Sequence, residues 1–144
     1  MTYWDTSCVL KLYVEESDSA RWQDRALEED SPLLSSALIT AELAYALERK
    51  EARGEIRPGA ARILNARFQR DVARGRLRLI PVGSDVIDES TRIATLCYRA
   101  KESVALRTLD GLHLSTAQLL RCGEIASADQ RMRAGASLLG IRPL

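Results

Sequence analysis

Short apolar runs alternate with longer amphipathic stretches along this chain, and that alternation limits the folds available to it. The short runs, such as Tyr3-Trp4 and residues 124–127, are too brief for helices and stand directly before helical patterns. Strands and helices in alternation form a mainly parallel sheet with helices on both faces. The sequence therefore predicts an α/β fold, a three-layer α/β/α sandwich around a mainly parallel central sheet.

The predicted elements follow one another without an internal repeat, a low-complexity segment or a flexible linker. Strands are expected at residues 3–5, 32–36, 77–82, 124–127 and, at the sheet edge, 140–144. Helices are expected at residues 17–29, 37–47 and 59–74, and also after residues 6, 84, 108 and 129. Thr108 is the expected N-cap of the helix that carries Asp110.

Size and charge set the scale of the molecule. The chain has 144 residues, of which 46% are hydrophobic, enough to bury one core, and we expect a single domain over residues 1–144. Lys and Arg number 21 against 20 Asp and Glu, so the formal net charge is only +1. A net charge near zero gives no overall basic surface for nucleic acid, so any such binding must come from local groups.

Cysteine usage and the chain start indicate where the protein works. Cys8, Cys97 and Cys122 form no C-x-x-C pair, which favours reduced thiols in a cytosol over disulfides or a zinc site. The first residues lack the basic and apolar regions of a signal peptide, and no apolar run approaches the roughly 20 residues of a membrane span. We expect a soluble, cytoplasmic protein without a membrane segment.

Four isolated acids stand at the ends of predicted elements or inside an apolar helix face. Asp5 and Asp129 each follow a strand and precede a helix, where capping of that helix would be explanation enough. Asp110 lies in the first turn of its helix, where the helix dipole favours a negative charge. Glu42 falls within an apolar arc of its helix and needs a partner there, either a metal or substrate, or Arg49 two turns along.

Topology supplies a reason to consider these acids together. Right-handed crossovers bring every strand-to-helix junction to one edge of a parallel sheet. Crowded carboxylates raise one another's pKa values unless a cation compensates their charge. Oxygen ligands without Cys or His favour Mg²⁺ or Mn²⁺ over zinc, and such a metal suits phosphate substrates because it lowers the pKa of a bound water.

Four segments of the chain resemble, in order, the successive motifs of PIN domains, and in particular those of the VapC ribonuclease toxins of bacterial toxin–antitoxin pairs. The segments are Tyr3-Trp4-Asp5-Thr6-Ser7, Thr40-Ala41-Glu42-Leu43, Leu106-Arg107-Thr108-Leu109-Asp110-Gly111-Leu112-His113-Leu114 and Ser127-Ala128-Asp129-Gln130-Arg131-Met132. The resemblance spans nearly the whole chain, and the third segment is its most specific part.

This resemblance implies a Mg²⁺- or Mn²⁺-dependent endoribonuclease that forms a homodimer and is inhibited by a VapB-type antitoxin in its acidic cleft. The matching catalytic and metal-binding quartet is Asp5, Glu42, Asp110 and Asp129. Thr6 or Ser7 takes the hydroxyl position beside the first acid, and Ser127 stands where the family often has threonine. Gly111 replaces the usual alanine, which would loosen the helix by up to ~1 kcal/mol.

Two further side chains of the third segment have open roles. His113, the only histidine, is flanked by leucines and is better explained as a structural residue than as a general base, because a metal-activated water reduces the need for a separate base. Arg107 has two explanations, a contact to the phosphate of the substrate or an ion pair with an acid at the rim of the site.

The hypothesis from sequence is a metal-dependent endoribonuclease, with Asp5 and Asp110 as the strongest candidates for metal binding. A solitary RNA-processing nuclease, and an RNA- or partner-binding module with an idle metal site, remain as alternatives on the same fold. A signalling receiver domain is a rival of another class, but it requires adjacent acids after the first strand and a lysine near the last one. Neither is present here.

Overall fold

The computed structural model describes all residues from 1 to 144 and contains five strands and seven helices. The strands are β1 (Thr2–Trp4), β2 (Leu33–Ser36), β3 (Leu77–Ile80), β4 (Glu124–Ala126) and β5 (Arg142–Pro143). The helices are α1 (Thr6–Leu10), α2 (Ser19–Leu27), α3 (Ile39–Ala52), α4 (Ala60–Ala73), α5 (Ser84–Arg99), α6 (Thr108–Leu119) and α7 (Gln130–Leu138). Each predicted element is present, with bounds shifted by a few residues.

All strand pairs are parallel, and their order across the sheet is β3-β2-β1-β4-β5. The chain therefore adds β2 and β3 on one side of β1, and then adds β4 and β5 on the other side. Between β1 and β4 the carboxyl ends of the strands part, and open α/β sheets bind ligands in that crevice. The order also differs from the 2-1-3-4-5 order of receiver domains, which removes that rival.

Both faces of the sheet are buried, because successive side chains of a strand point to opposite sides. Trp4 packs with helices α1 to α4 in one apolar cluster, whereas its neighbour Tyr3 packs with α5, α6 and α7 in another. Leu33 and Leu34 of β2 divide in the same way. The three-layer α/β/α sandwich expected from the sequence is confirmed.

Helix α6 passes close to α5, and Gly111 permits that approach. A Cβ atom at Gly111 would lie 2.9 Å from the Ser90 hydroxyl oxygen of α5, closer than normal contact. The departure from alanine noted in the sequence thus has a packing reason. The N-cap of α6 is Arg107, so the prediction of Thr108 as the cap is wrong by one residue. The extended backbone of Arg107 lets its N–H donate to the Asp110 carboxylate at 3.3 Å, and Thr108 is already helical.

None of the seven helices has both the length and the apolar character that crossing a membrane requires.

Truncating a leucine on α6 tests which face of this helix packs into the apolar core. Leu114 is fully buried, and Leu114→Ala is expected to lower the free energy of unfolding by about 2–5 kcal/mol, through lost burial and a residual cavity. Leu119, on the same helix, is 45% exposed, so Leu119→Ala is the matched control and should cost well under ~2 kcal/mol. Urea unfolding of both variants measures the difference, and equal losses would contradict this packing.

Candidate functional site

A cleft of about 740 Å³ opens where β1 and β4 part, and all four acids singled out from the sequence line it. They reach it from four elements: Asp5 follows β1, Glu42 lies in the first turn of α3, Asp110 lies in the first turn of α6, and Asp129 is the N-cap of α7. The convergence expected from a parallel sheet is therefore present. The lining contains no Lys, Cys or His.

Asp5 is held by two serine hydroxyls. The Ser7 hydroxyl donates to the Asp5 carboxylate at 2.6 Å, and the Ser127 hydroxyl donates to the same oxygen at 2.9 Å. Asp5 stands at the N-cap position of α1 but makes no capping hydrogen bond with its side chain. Capping, the ordinary explanation for this acid, is therefore not what its carboxylate does. Only 5% of Asp5 is exposed, and the residue lines the cleft.

Glu42 has two partners, and neither is Arg49. The Thr6 hydroxyl donates to one Glu42 oxygen, and His113 Nε2 lies 2.6 Å from that same oxygen. Arg49 lines the cleft but forms no salt bridge, so the proposed Arg49 ion pair is wrong. Burial opposes ionisation of Glu42, but the contacts with His113 and Thr6 outweigh burial and lower its pKa below the usual value.

His113 connects Glu42 to the core. Its side chain is 1% exposed, and Nδ1 lies 2.6 Å from the hydroxyl oxygen of Tyr3, which in turn accepts a hydrogen bond from the Ser36 N–H. Burial raises the pKa of Tyr3, so this phenol keeps its proton and can donate it to Nδ1 of a neutral imidazole. His113 then donates from Nε2 to Glu42, and the glutamate is held by a buried chain of hydrogen bonds.

The sequence alone does not indicate this supporting role of Tyr3 and His113. In the sequence, Tyr3 is recognisable only as an apolar residue of a strand. His113, however, lies three positions after Asp110 on α6, a spacing that places two side chains on one face of a helix. That spacing was an available signal that the histidine faces the acids.

Arg107 bridges the other two acids. Its Nε donates to Asp110 at 3.0 Å, and its Nη2 donates to Asp129 at 3.1 Å. Asp129 also caps α7 by accepting from the backbone N–H groups of Arg131 and Met132, which is the ordinary explanation considered for it. Of the two roles considered for Arg107, the structure contains the ion pair. The side chain is 58% exposed, so this pair is accessible to solvent and to ligands.

The acids share a cleft without being drawn together. No group of three or more His, Cys, Asp or Glu side chains is arranged closely enough to hold a metal ion. The donor chemistry nevertheless suits a hard divalent cation, because four carboxylates line the cleft and the positive charge between two of them comes from Arg107.

Comparisons with known proteins agree with this geometry. The family model described as PIN domain matches residues 2–138. Ribonuclease VapC46 of Mycobacterium tuberculosis (strain ATCC 25618 / H37Rv) is 36% identical over 141 residues, which cover 96% of this chain and 92% of that protein.

The sole histidine allows the contact with Glu42 to be measured directly. Burial disfavours protonation of His113, but the hydrogen bond to Glu42 and the nearby carboxylates outweigh burial and raise its pKa above the usual value. A raised pKa stabilises the fold at pH values below about 6.5, and this contribution is lost as the pH rises through the folded-state pKa. We therefore expect the ring resonance in an NMR titration to move at a pH above about 6.5.

The matched variant for this titration is Glu42→Gln. It removes the negative charge and leaves burial as the main influence, so the pKa of His113 should fall. A pKa that is the same in the wild type and in Glu42→Gln would contradict the contact.

Proposed function

The chain belongs to the PIN domain family, and from that premise we propose that it is a Mg²⁺- or Mn²⁺-dependent endoribonuclease that hydrolyses RNA phosphodiester bonds. The observation that carries the proposal is the cleft at the reversal of strand order, which four acids from four separate elements line. The similarity to a protein named as a ribonuclease, over nearly the full length of both chains, supports the same activity.

In this proposal the metal-binding and catalytic residues are Asp5, Glu42, Asp110 and Asp129, which act directly or through water. A bound Mg²⁺ or Mn²⁺ would supply an acidified water and a positive charge beside the phosphate. The protein's own part is to hold the acids in place. Ser7 and Ser127 orient Asp5, while Thr6 and His113 orient Glu42 and favour its ionised form.

Arg107 has two successive tasks in this scheme. Without metal, its guanidinium neutralises Asp110 and Asp129 and so limits the repulsion between carboxylates. A cation held by Asp110 and Asp129 would displace the guanidinium from these two acids, because like charges repel each other at short range. Once released, the planar fork of donors can bind the phosphate of the substrate, the second role considered for this residue.

The same premise extends to partners. We propose that the chain is a single domain over residues 1–144 and works in the cytoplasm as the toxin of a toxin–antitoxin pair. It would act as a homodimer, and a cognate VapB-like antitoxin would neutralise it. Support for the pair comes from the similarity to a VapC protein.

A second candidate function is a PIN module that binds RNA or a protein partner without cutting. One observation favours it: the acids are not arranged as a ready metal site, and an arginine already bridges two of them.

Cleavage of total cellular RNA by the purified protein separates these two functions. We expect cuts in Mg²⁺ or Mn²⁺ that EDTA abolishes, and a loss of at least about a hundredfold in Asp5→Asn and in Asp110→Asn, because each removes a carboxylate from the quartet. Asp88→Asn, at an exposed position on α5 outside the cleft, is the isosteric control and should cut normally. A folded wild type that cuts no RNA with either metal would favour the binding module.

Metal affinity tests the competition with Arg107. Removing the guanidinium in Arg107→Gln should raise the affinity for Mn²⁺ by roughly three- to tenfold in calorimetry, since an exposed ion pair is worth about 1 kcal/mol. Arg92→Gln, which removes an arginine paired only with Glu89 on α5, controls for overall charge. Binding to Arg107→Gln that is no tighter than to the wild type would show that Arg107 does not compete.

A further inference from the structure

Helix α3 presents more than Glu42 to the cleft. Tyr45, Ala46 and Arg49 line the same cleft, at positions three, four and seven after Glu42. This is the spacing of a single helix face. At about 1.5 Å per residue, Tyr45 lies about 4.5 Å and Arg49 about 10.5 Å farther along the helix axis than Glu42. The face thus leads away from the acids in a straight line.

Tyr45 is exposed to a degree that the core does not explain. It is 78% exposed, whereas five of the seven aromatic side chains of the protein are buried. The other exposed aromatic residue, Tyr98, donates its hydroxyl to the Leu106 carbonyl and so has a structural contact. The Tyr45 hydroxyl has no partner of this kind. An aromatic ring held open at the wall of a cleft is a surface on which a planar group can stack.

Arg49 is a cation of the cleft that pairs with none of its acids. Arg107, the other cation of the lining, is held by two carboxylates, whereas Arg49 is exposed and pairs with no acid. Its guanidinium is therefore available to an anion that enters along α3. A free arginine beyond an open aromatic ring matches the phosphate and base of a nucleic acid strand.

We infer that the face of α3 formed by Tyr45 and Arg49 is a binding subsite for single-stranded RNA, in which a base next to the scissile phosphate stacks on Tyr45 and a farther phosphate binds Arg49. This inference rests on the proposed function and assigns the path of its substrate. The strand must be single, because the bases of a duplex are stacked on each other and cannot reach a side chain at the wall of the cleft.

Affinity for RNA tests this subsite without any cleavage. The probe is a short fluorescent single-stranded RNA of mixed sequence, bound to the Asp5→Asn protein in Mg²⁺ and followed by anisotropy. Adding Tyr45→Ala should weaken binding by roughly 5- to 100-fold, the range seen when a stacking aromatic is removed. Tyr45→Phe keeps the ring and should bind like its parent, since the hydroxyl has no partner.

Arg49→Gln should weaken binding and lower the slope of log affinity against log salt by about one charge. Arg62→Gln removes an exposed, unpaired arginine on α4 outside the cleft and serves as the matched control. A duplex RNA should show no dependence on Tyr45. In the cutting enzyme, Tyr45→Ala should raise KM more than it lowers kcat.

Unchanged RNA affinity in both Tyr45→Ala and Arg49→Gln would overturn the subsite. If Tyr45→Ala instead weakened self-association in sedimentation and left RNA binding intact, the face would be a protein interface and the inference would also be wrong. A failure of the proposed function would give a different result. In that case the wild type itself would neither bind nor cut RNA, whatever residues stand on α3.

Discussion

The placement of four carboxylates in one cleft is the constraint on which the rest of this site depends. Four acids from four elements line one cleft, and each of them has a hydroxyl, imidazole or guanidinium partner there. The protein provides three different solutions: two serine hydroxyls for Asp5, a buried imidazole for Glu42, and one guanidinium for both remaining acids. Of these partners only the Arg107 guanidinium is exposed to solvent. An incoming cation would therefore compete with this guanidinium for Asp110 and Asp129.

The fold creates this constraint through its winding. The strand order reverses between β1 and β4, so the loops that follow these two strands diverge and leave a crevice at the carboxyl edge. Asp5 enters it from β1, and α3 and α6 direct Glu42 and Asp110 into the same space. The support of Glu42 joins the two helix layers, since Glu42 lies on α3 and His113 on α6, which pack on opposite faces of the sheet. Core packing and site geometry are thus coupled through one buried chain of hydrogen bonds.

The sequence predicts the fold and the acids of the cleft, and the predictions that were wrong have physical causes. Strand-helix alternation and handed crossovers are local or general rules, so they predicted the sandwich and the meeting of the acids. Arg49 was proposed for Glu42 because it lies nearby on the same helix, whereas the actual partner, His113, is 71 positions away and needs the tertiary fold. The cap at Arg107 differs from Thr108 because the Asp110 carboxylate accepts the Arg107 N–H, a contact that residue preference alone does not specify.

We propose above all that the four acids form one cation-binding centre when Arg107 moves away from Asp110 and Asp129. Diffraction from crystals grown with Mn²⁺, recorded at a wavelength where manganese scatters anomalously, tests it most directly. We expect an anomalous peak in the cleft within about 2–3 Å of oxygens from at least two of the four acids, with Arg107 turned away from Asp110 and Asp129. A cleft without such a peak, with Arg107 still bridging the two aspartates at saturating Mn²⁺, would contradict it.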